Sequence, residues 1–183
     1  QGNNVIDIKS KADSGTNALL GMLVSGNLNI SGEGSLTINI DTEKCDEHLL
    51  AVAGIVCNPN SIFQDANITI NMKGFTGGAF GIAVGKSDGS EDDTLIIINS
   101  DINIKSWLGY NDKLQVAGTK KIVLINSDDI CIIESSKLNL ELKEREGLTK
   151  DEAELYGIAF QGRKEKMNIL GRTAISINSS EYS

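Results

Sequence analysis

Short runs in which apolar and polar residues alternate recur along this chain in pairs, and a Gly, Ser, Asn or Asp turn splits each pair. The pairs are NLNISGEGSLTINI (27–40), IFQDANITINM (62–72), LIIINSDINIK (95–105), ICIIESSKLNLEL (130–142) and MNILGRTAISIN (167–178), with VIDIK (5–9) as a partial copy. A period of two turns one set of side chains inward and the other outward along a strand. Repeats every ~20–50 residues are typical of stacked arrays, in which each unit buries its apolar face against its neighbours. The pattern therefore predicts half-buried strands in a repeat architecture.

The first apolar residue of each second run gives the spacing of the copies. These residues lie 30, 32, 34, 36 and 37 positions apart, at Ile6, Leu36, Ile68, Ile102, Leu138 and Ile175. A third, weaker apolar run precedes most pairs, at 19–26, 52–58, 80–87, 121–127 and 156–162. Three strands per copy, with no helix-period segments between them, predict an all-β fold: a right-handed parallel β-helix (solenoid) of about five or six coils, three strands per coil.

The composition agrees with a solenoid whose core holds slim aliphatic side chains. The chain has 40% hydrophobic residues, only 4% aromatic residues, 19 Gly and 1 Pro. Proline cannot donate to a strand ladder, and Pro59 falls in the loop sequence CNPNS. An antiparallel sandwich is the alternative fold, but its copies would not share an order of three runs.

A single β-helix domain over 3–183 is expected, because no linker or low-complexity stretch divides the chain. Gln1 and Gly2 resemble the remnant of a protease-cleavable tag. Only the segment 144–157 has a helical pattern, in which Thr149 would cap a first turn that carries acidic residues. We expect this helix to be an insertion between two strands.

Paired runs such as GSLTINI and ANITINM, followed by GIAV or GIAF and then a turn, resemble the right-handed parallel β-helix proteins of the pectin-lyase-like superfamily. Within it they are most similar to bacterial surface or secreted β-helix domains described as carbohydrate-binding. The resemblance covers nearly all of the chain and rests on the order of repeats, which is specific for fold rather than for function. It implies binding or cleavage of acidic polysaccharides, in some members with calcium.

The enzymatic members of that superfamily can be compared residue by residue. Polygalacturonases use aspartates with a Gly-His-Gly segment, whereas the only histidine here, His48, lies in CDEHLL. Pectate lyases use acidic calcium ligands and an arginine base on one sheet face, but Arg145, Arg163 and Arg172 lie in no strand run beside paired carboxylates. We therefore expect no catalytic residues and a noncatalytic module. A calcium-assisted polysaccharide lyase and a purely structural stalk are the two alternatives.

Polar residues at the outward positions of the second runs align in two columns. One contains Asp7, Thr37, Thr69, Asn103, Asn139 and Ser176, and the other contains Lys9, Asn39, Asn71, Lys105, Glu141 and Asn178. Hydroxyl and amide groups can bond sugar hydroxyls, which makes Thr37, Asn39, Thr69 and Asn71 candidate ligand-binding residues. The same residue types also suit a hydrated sheet face, and stacked amides support a solenoid by themselves.

A second candidate binding locus surrounds the only tryptophan. In the segment KSWLGYNDK (105–113), Trp107, Tyr110, Asn111 and Asp112 follow a strand in the longest gap between runs. An aromatic side chain can pack against the apolar face of a sugar while polar groups fix its hydroxyls. In the alternative interpretation, Trp107 covers the side of the coil stack beneath an extended loop.

An acidic loop is the candidate metal site. The segment SDGSEDD (87–93) places Asp88, Glu91, Asp92 and Asp93 around a glycine, and calcium prefers such oxygen ligands. The spacing does not match a helix-loop-helix calcium motif. Solvation alone also explains an acidic, Gly-containing loop.

Charge and hydropathy limit the partners. A formal net charge of −8 and the absence of basic stripes argue against nucleic acid, and no run of about 18 apolar residues spans a membrane. The three cysteines, Cys45, Cys57 and Cys131, form no zinc motif; Cys45 and Cys57 could pair if their loop folds back. We expect an extracellular or cell-surface location.

The ends of a β-solenoid expose unpaired strand edges, which invite pairing unless something covers them. The runs begin almost at the start of this chain and continue almost to its last residues. We therefore expect end-to-end self-association, or a neighbouring domain of a longer chain, to mask at least one edge.

Overall fold

A computed structural model describes residues 2–9, 18–44, 51–76, 78–85, 94–110, 121–127, 129–143, 154–160 and 165–180. These residues form three parallel sheets. Sheet A contains, in spatial order, β1 (Asn3–Lys9), β4 (Ser35–Thr42), β7 (Asn67–Thr76), β10 (Asp101–Tyr110), β13 (Lys137–Lys143) and β16 (Ala174–Ser180). Sheet B contains β2 (Ala18–Leu23), β5 (Ala51–Cys57), β8 (Ala79–Val84), β11 (Lys121–Ser127) and β14 (Glu154–Phe160). Sheet C contains β3 (Asn29–Ser31), β6 (Ser61–Gln64), β9 (Thr94–Ile98), β12 (Ile130–Glu134) and β15 (Lys166–Leu170).

The chain passes from sheet B to sheet C to sheet A in every coil. Strands β2 to β16 thus make five successive sets of three, and β1 precedes them as an extra strand of sheet A. Every pair of neighbouring strands in the described part of the chain is parallel. The predicted parallel β-solenoid with three strands per coil is confirmed, and Pro59 lies between β5 and β6, outside the strands.

The helical prediction for 144–157 is wrong at its C-terminal end. Residues 154–157 begin β14, while 144–153 lie outside the described residues. Strand β14 pairs with β11 from Glu154 to Phe160. The ladder to β11 and the inward packing of Leu155 and Ile158 outweigh the weak helix preference of Glu154 and Leu155.

Inward side chains form continuous columns through the coils. One column of sheet A contains Ile6, Ile38, Ile70, Ile104, Leu140 and Ile177. Its four central members are at most 1% exposed, and full burial of such a side chain contributes about 1.5–3 kcal/mol. Cys57 and Cys131 are buried free thiols of the same core, and Cys45 lies outside the described residues.

Glycine recurs at one inward position of sheet B, opposite the isoleucines of that column. An added Cβ at Gly81 would lie 2.7 Å from Ile104 Cγ2 and 2.4 Å from the Leu124 carbonyl oxygen. Equivalent close approaches join Gly21 to Ile38, Gly54 to Ile70 and Gly157 to Ile177. In the remaining coil, Leu124 takes the glycine position and the sheet A column holds leucine, which lacks a methyl group on Cβ. Glycine at this position of sheet B therefore leaves the space that the β-branched side chains of the sheet A column occupy.

The corner between sheets C and A has its own repeated chemistry. A residue with positive φ occupies it in each coil, at Gly32, Asp65, Asn99, Ser135 and Gly171, which agrees with the predicted Gly, Ser, Asn or Asp turns. Next to it, hydroxyl groups bond to backbone: Ser136 Oγ accepts from Ser100 N at 3.0 Å and donates to Glu134 O at 2.7 Å. The bond from Ser100 N joins two successive coils, and the bond to Glu134 O lies within one coil.

The register of β1 corrects the sequence alignment of the first copy. Ile6 pairs with Ile38 rather than with Leu36, a shift of two residues, whereas the later copies align as predicted. Because side chains alternate with a period of two, a shift of two keeps the same residues inward. The alternation within the short run VIDIK is therefore compatible with both registers of β1 relative to β4, and the sequence alone does not distinguish them.

Candidate functional site

The outward surface of sheet A is broad and mostly polar, and we call it the sheet A face. Four columns of outward side chains cross it: an edge column contains Asn3, Ser35, Asn67, Asp101, Lys137 and Ala174, and we number the other three. The first contains Val5, Thr37, Thr69, Asn103, Asn139 and Ser176. The second contains Asp7, Asn39, Asn71, Lys105, Glu141 and Asn178. The third contains Lys9, Asp41, Lys73, Trp107, Lys143 and Ser180.

The corrected register of β1 moves two residues of the predicted columns. Asp7 belongs beside Asn39, not beside Thr37, and Lys9 belongs in the third column. The four candidate residues Thr37, Asn39, Thr69 and Asn71 keep their predicted neighbours, since Thr37 pairs with Thr69 and Asn39 with Asn71. All four are partly exposed.

Trp107 lies within β10, so the predicted loop around it is wrong over residues 106–110. Its side chain is 47% exposed and lies in the third column, where Lys73 of β7 is its register partner. On the other side, the Lys143 Nζ atom lies 5.9 Å from the centre of the indole ring, a distance at which a cation–π interaction forms. The sheet therefore brings Trp107 onto the same surface as the Thr and Asn columns.

The structure describes only part of the other residues predicted around Trp107. Tyr110 is the last residue of β10, and Asn111 and Asp112 lie outside the described residues. The acidic segment with Asp88, Glu91, Asp92 and Asp93 also lies outside them. The calcium site consequently stays a prediction.

A shallow cleft of about 240 Å³ opens on the sheet A face across β1, β4 and β7. We call it the Asn39 cleft, and its lining residues are Asp7, Ile8, Lys9, Asn39, Ile40, Asp41, Asn71 and Lys73. Amides, carboxylates and ammonium groups thus share one depression, whose lining also includes Ile8 and Ile40. Lys73 belongs both to this cleft and to the pair with Trp107, so the two features are continuous.

Amide side chains in the cleft bond to one another along the coil axis. Asn71 Nδ2 donates to Asn39 Oδ1 at 2.8 Å, and Asn39 Nδ2 donates to Asp7 Oδ1 at 2.7 Å. A similar bond joins Asn139 Nδ2 to Asn103 Oδ1 at 2.6 Å in the first column. These bonds support the stack, as one interpretation of the sequence expected. Each amide nitrogen carries a second N–H, which a ligand can use.

Ion pairs hold the charged side chains of the face in place. Lys73 Nζ lies 3.0 Å from Asp41 Oδ2, and Lys143 Nζ lies 2.8 Å from Glu141 Oε1. Partial burial raises the pKa of Asp41, but the Glu43 N–H and the Lys73 ammonium outweigh it and leave the pKa below its ordinary value. The bond from Lys143 likewise holds the pKa of Glu141 low against partial burial. Both carboxyls are therefore ionised at neutral pH.

The protonation states of these two carboxyls and of the two buried thiols do not suit acid catalysis or nucleophilic catalysis. A general acid has to keep its proton near the working pH, which neither Asp41 nor Glu141 does. Burial raises the pKa of the Cys57 thiol and raises that of Cys131 to about 12, so neither is an activated nucleophile. Among the described residues, no group of three or more His, Cys, Asp or Glu side chains could hold a metal ion.

Sequence patterns missed the third column, which contains the charged neighbours of Trp107. The run that begins β10 stopped at Lys105 because the next inward residue, Ser106, is polar although it is buried. Extending the period of two past Ser106 would have placed Trp107 outward in line with Lys73. Ser106 aligns with the inward residues Met72 and Leu142 of the neighbouring strands. That alignment was the signal that the strand continues past Ser106.

Comparisons with known proteins identify no relative of this chain. No family model, no curated protein and no solved structure matches the chain. In the described part of the chain, no helix has the length and apolar character needed to cross a membrane.

Proposed function

We propose that this chain is a noncatalytic β-helix module of the pectin-lyase-like type, extracellular or on a cell surface, which binds polysaccharide on its sheet A face. The observation that supports this most is the position of Trp107, the only tryptophan of the chain. It is half-exposed and lies one strand from Lys73, which lines the Asn39 cleft. An aromatic platform next to fixed polar groups is a common design for sugar recognition.

The shape of the face favours an extended glycan over a single sugar. Neighbouring strands lie ~4.7–4.9 Å apart, so a glycan that crosses them meets a new set of polar side chains at every coil. From the Asn39 cleft on β1, β4 and β7 it would reach Trp107 on β10 without leaving the surface. Lysines and carboxylates occur in pairs here, which limits the electrostatic repulsion of acidic sugars by a chain of net charge −8.

A glycan array that includes polygalacturonate and cellulose tests the proposal, with and without calcium. Trp107→Ala should weaken binding to any glycan that the wild type binds by roughly tenfold, which corresponds to about 1.4 kcal/mol. Tyr156→Ala is the matched control, because Tyr156 on sheet B is also a half-exposed aromatic residue with a lysine, Lys121, 5.7 Å from its ring centre. Equal losses in the two variants would contradict a site on sheet A.

A structural stalk or adhesin segment is the second candidate, and the bonded amides favour it. Asn39 and Asn71 already bond within the stack, as they would in a face that only supports the fold. Failure of the wild type to bind every glycan on the array would favour the stalk. Release of unsaturated oligosaccharides with calcium would instead favour a lyase that uses the acidic segment 88–93.

A further inference from the structure

The two faces of the Trp107 indole have different neighbours. Trp107 stands on β10, and Lys143 of β13 places its ammonium group 5.9 Å from the centre of the ring. The ring face that looks toward β13 is therefore the one that the cation covers. The opposite face looks toward β7, where Lys73 is the register partner of Trp107. A sugar that stacks on this indole without displacing the Lys143 ammonium has to use the β7 side.

An ion pair draws the Lys73 ammonium away from the indole. Lys73 Nζ lies 3.0 Å from Asp41 Oδ2, and Asp41 belongs to β4, which lies on the side of β7 away from β10. Glu43 Oε1 lies 3.9 Å from the same nitrogen and attracts it in the same direction. Because β4 and β10 are two strand spacings apart, roughly 9–10 Å, a space opens above β7 between Trp107 and the Asp41–Lys73 pair. We call this space the indole slot.

The Asp41 carboxylate on the far side of the slot is held in place and can still accept hydrogen bonds. Its Oδ1 atom accepts the Glu43 N–H at 3.0 Å, and its Oδ2 atom faces Lys73. An ionised carboxylate accepts about four hydrogen bonds, so these two contacts leave room for hydroxyl groups. The Lys73 ammonium carries N–H donors beside it. A sugar hydroxyl in the slot thus meets both an acceptor and a donor.

The ammonium groups on both sides of the indole are already paired with carboxylates. Lys73 pairs with Asp41, and Lys143 Nζ lies 2.8 Å from Glu141 Oε1. A carboxylate on the ligand would have to compete with these protein carboxylates for the ammonium groups. A hydroxyl group only adds a hydrogen bond to an ion pair that stays intact. The slot therefore suits sugar hydroxyls better than sugar carboxylates.

We propose that a neutral sugar ring binds in the indole slot, stacked on the β7 side of Trp107 and hydrogen-bonded through its hydroxyls to Asp41 and Lys73. This inference rests on the proposed binding of polysaccharide by the sheet A face, and it adds the ring face, the polar partners and the class of sugar. Asp41 is then a ligand-contacting residue, which no local sequence pattern indicated. Lys143 and Glu141 lie behind the ring and do not contact the sugar in the slot.

Two matched carboxylate-to-amide substitutions test which side of the ring binds the sugar. Asp41→Asn removes a charged acceptor from the slot and should weaken binding of a neutral glycan roughly tenfold. Glu141→Gln makes the same change behind the ring and should weaken binding by less than about twofold. Isothermal titration calorimetry measures both, with soluble fragments of the neutral polysaccharide that gives the strongest array signal. Equal losses in the two variants would overturn the slot, although the binding itself would still support the sheet A face.

Salt dependence separates recognition of hydroxyls from recognition of charge. The affinity of the wild type for the neutral fragments should change by less than about twofold between roughly 0.05 and 0.5 M salt, because no net charge is neutralised on binding. Oligogalacturonate is the acidic probe. A preference for oligogalacturonate that falls steeply as salt rises would overturn the class of sugar, and would leave the proposed polysaccharide binding standing.

Emission of Trp107 in the ligand-free protein tests the geometry without any sugar. Lys143→Met removes the ammonium that covers the ring and should shift the emission maximum. Lys73→Met should shift it less, because the Lys73 ammonium leans toward Asp41. A larger shift in Lys73→Met would overturn the arrangement of the slot. Failure of the wild type to bind any glycan would overturn both the slot and the proposed function, whatever the emission shows.

Discussion

Single residues decide how closely sheets A and B pack. Gly81 has no space for a Cβ, because Ile104 Cγ2 and the Leu124 carbonyl would lie 2.7 and 2.4 Å away. Gly85, in contrast, would place its Cβ 3.5 Å from the nearest atom, the Cys57 carbonyl oxygen, which is an ordinary contact. The role of glycine in this fold therefore depends on the column in which it lies.

Gly81→Ala should consequently lower the free energy of unfolding by about 1–3 kcal/mol, because the added methyl group overpacks the core. Gly85→Ala should change it by less than about 0.5 kcal/mol. Urea denaturation followed by circular dichroism measures both values. Equal effects of the two substitutions would show that the close approach to Ile104 does not limit packing.

At the scale of the element, the corner between sheets C and A joins the coils through hydroxyl groups. Ser136 Oγ is the acceptor for the buried N–H of Ser100, and Ser100 Oγ is in turn the acceptor for Ala66 N at 3.1 Å. Backbone groups at a corner lie beyond the regular ladder, and an unpaired buried N–H is costly. The hydroxyls therefore extend the hydrogen bonding of the sheets around the turn.

Ser136→Ala should destabilise the fold by about 1–3 kcal/mol, since it leaves the Ser100 N–H buried without its acceptor. Ser176→Ala is the control, because Ser176 is an exposed residue of β16 whose hydroxyl accepts only an exposed bond from Asn178. Thermal unfolding of the two variants at equal concentration separates the effects. A control as unstable as Ser136→Ala would argue against a special role for the corner.

At the scale of the whole molecule, the sequence predicted most of the fold and only part of the site. The alternation of apolar and polar residues predicted the strands, the order of the sheets and the inward columns, because every coil has to bury apolar side chains at the same positions. It failed at β1, where a two-residue shift changes no inward residue, and at β14, where the ladder to β11 outweighs local helix preference.

The site needed the three-dimensional register. The sequence predicted Trp107 as an aromatic platform, but its neighbours Lys73 and Lys143 lie 34 and 36 residues away in sequence and meet it only because parallel coils stack in register. No local pattern links them. Asp41 and Lys9 joined the cleft for the same reason.

Because Trp107 is the only tryptophan of the chain, its fluorescence reports directly on the proposed binding surface. Titration of the wild type with the polysaccharides that bind on the array is the most direct test of polysaccharide binding on the sheet A face. We predict a saturable change in tryptophan emission, because a sugar ring displaces water from an indole that is 47% exposed. Saturable binding of a glycan by an independent method with no change in this emission, or no binding of any glycan, would contradict the account.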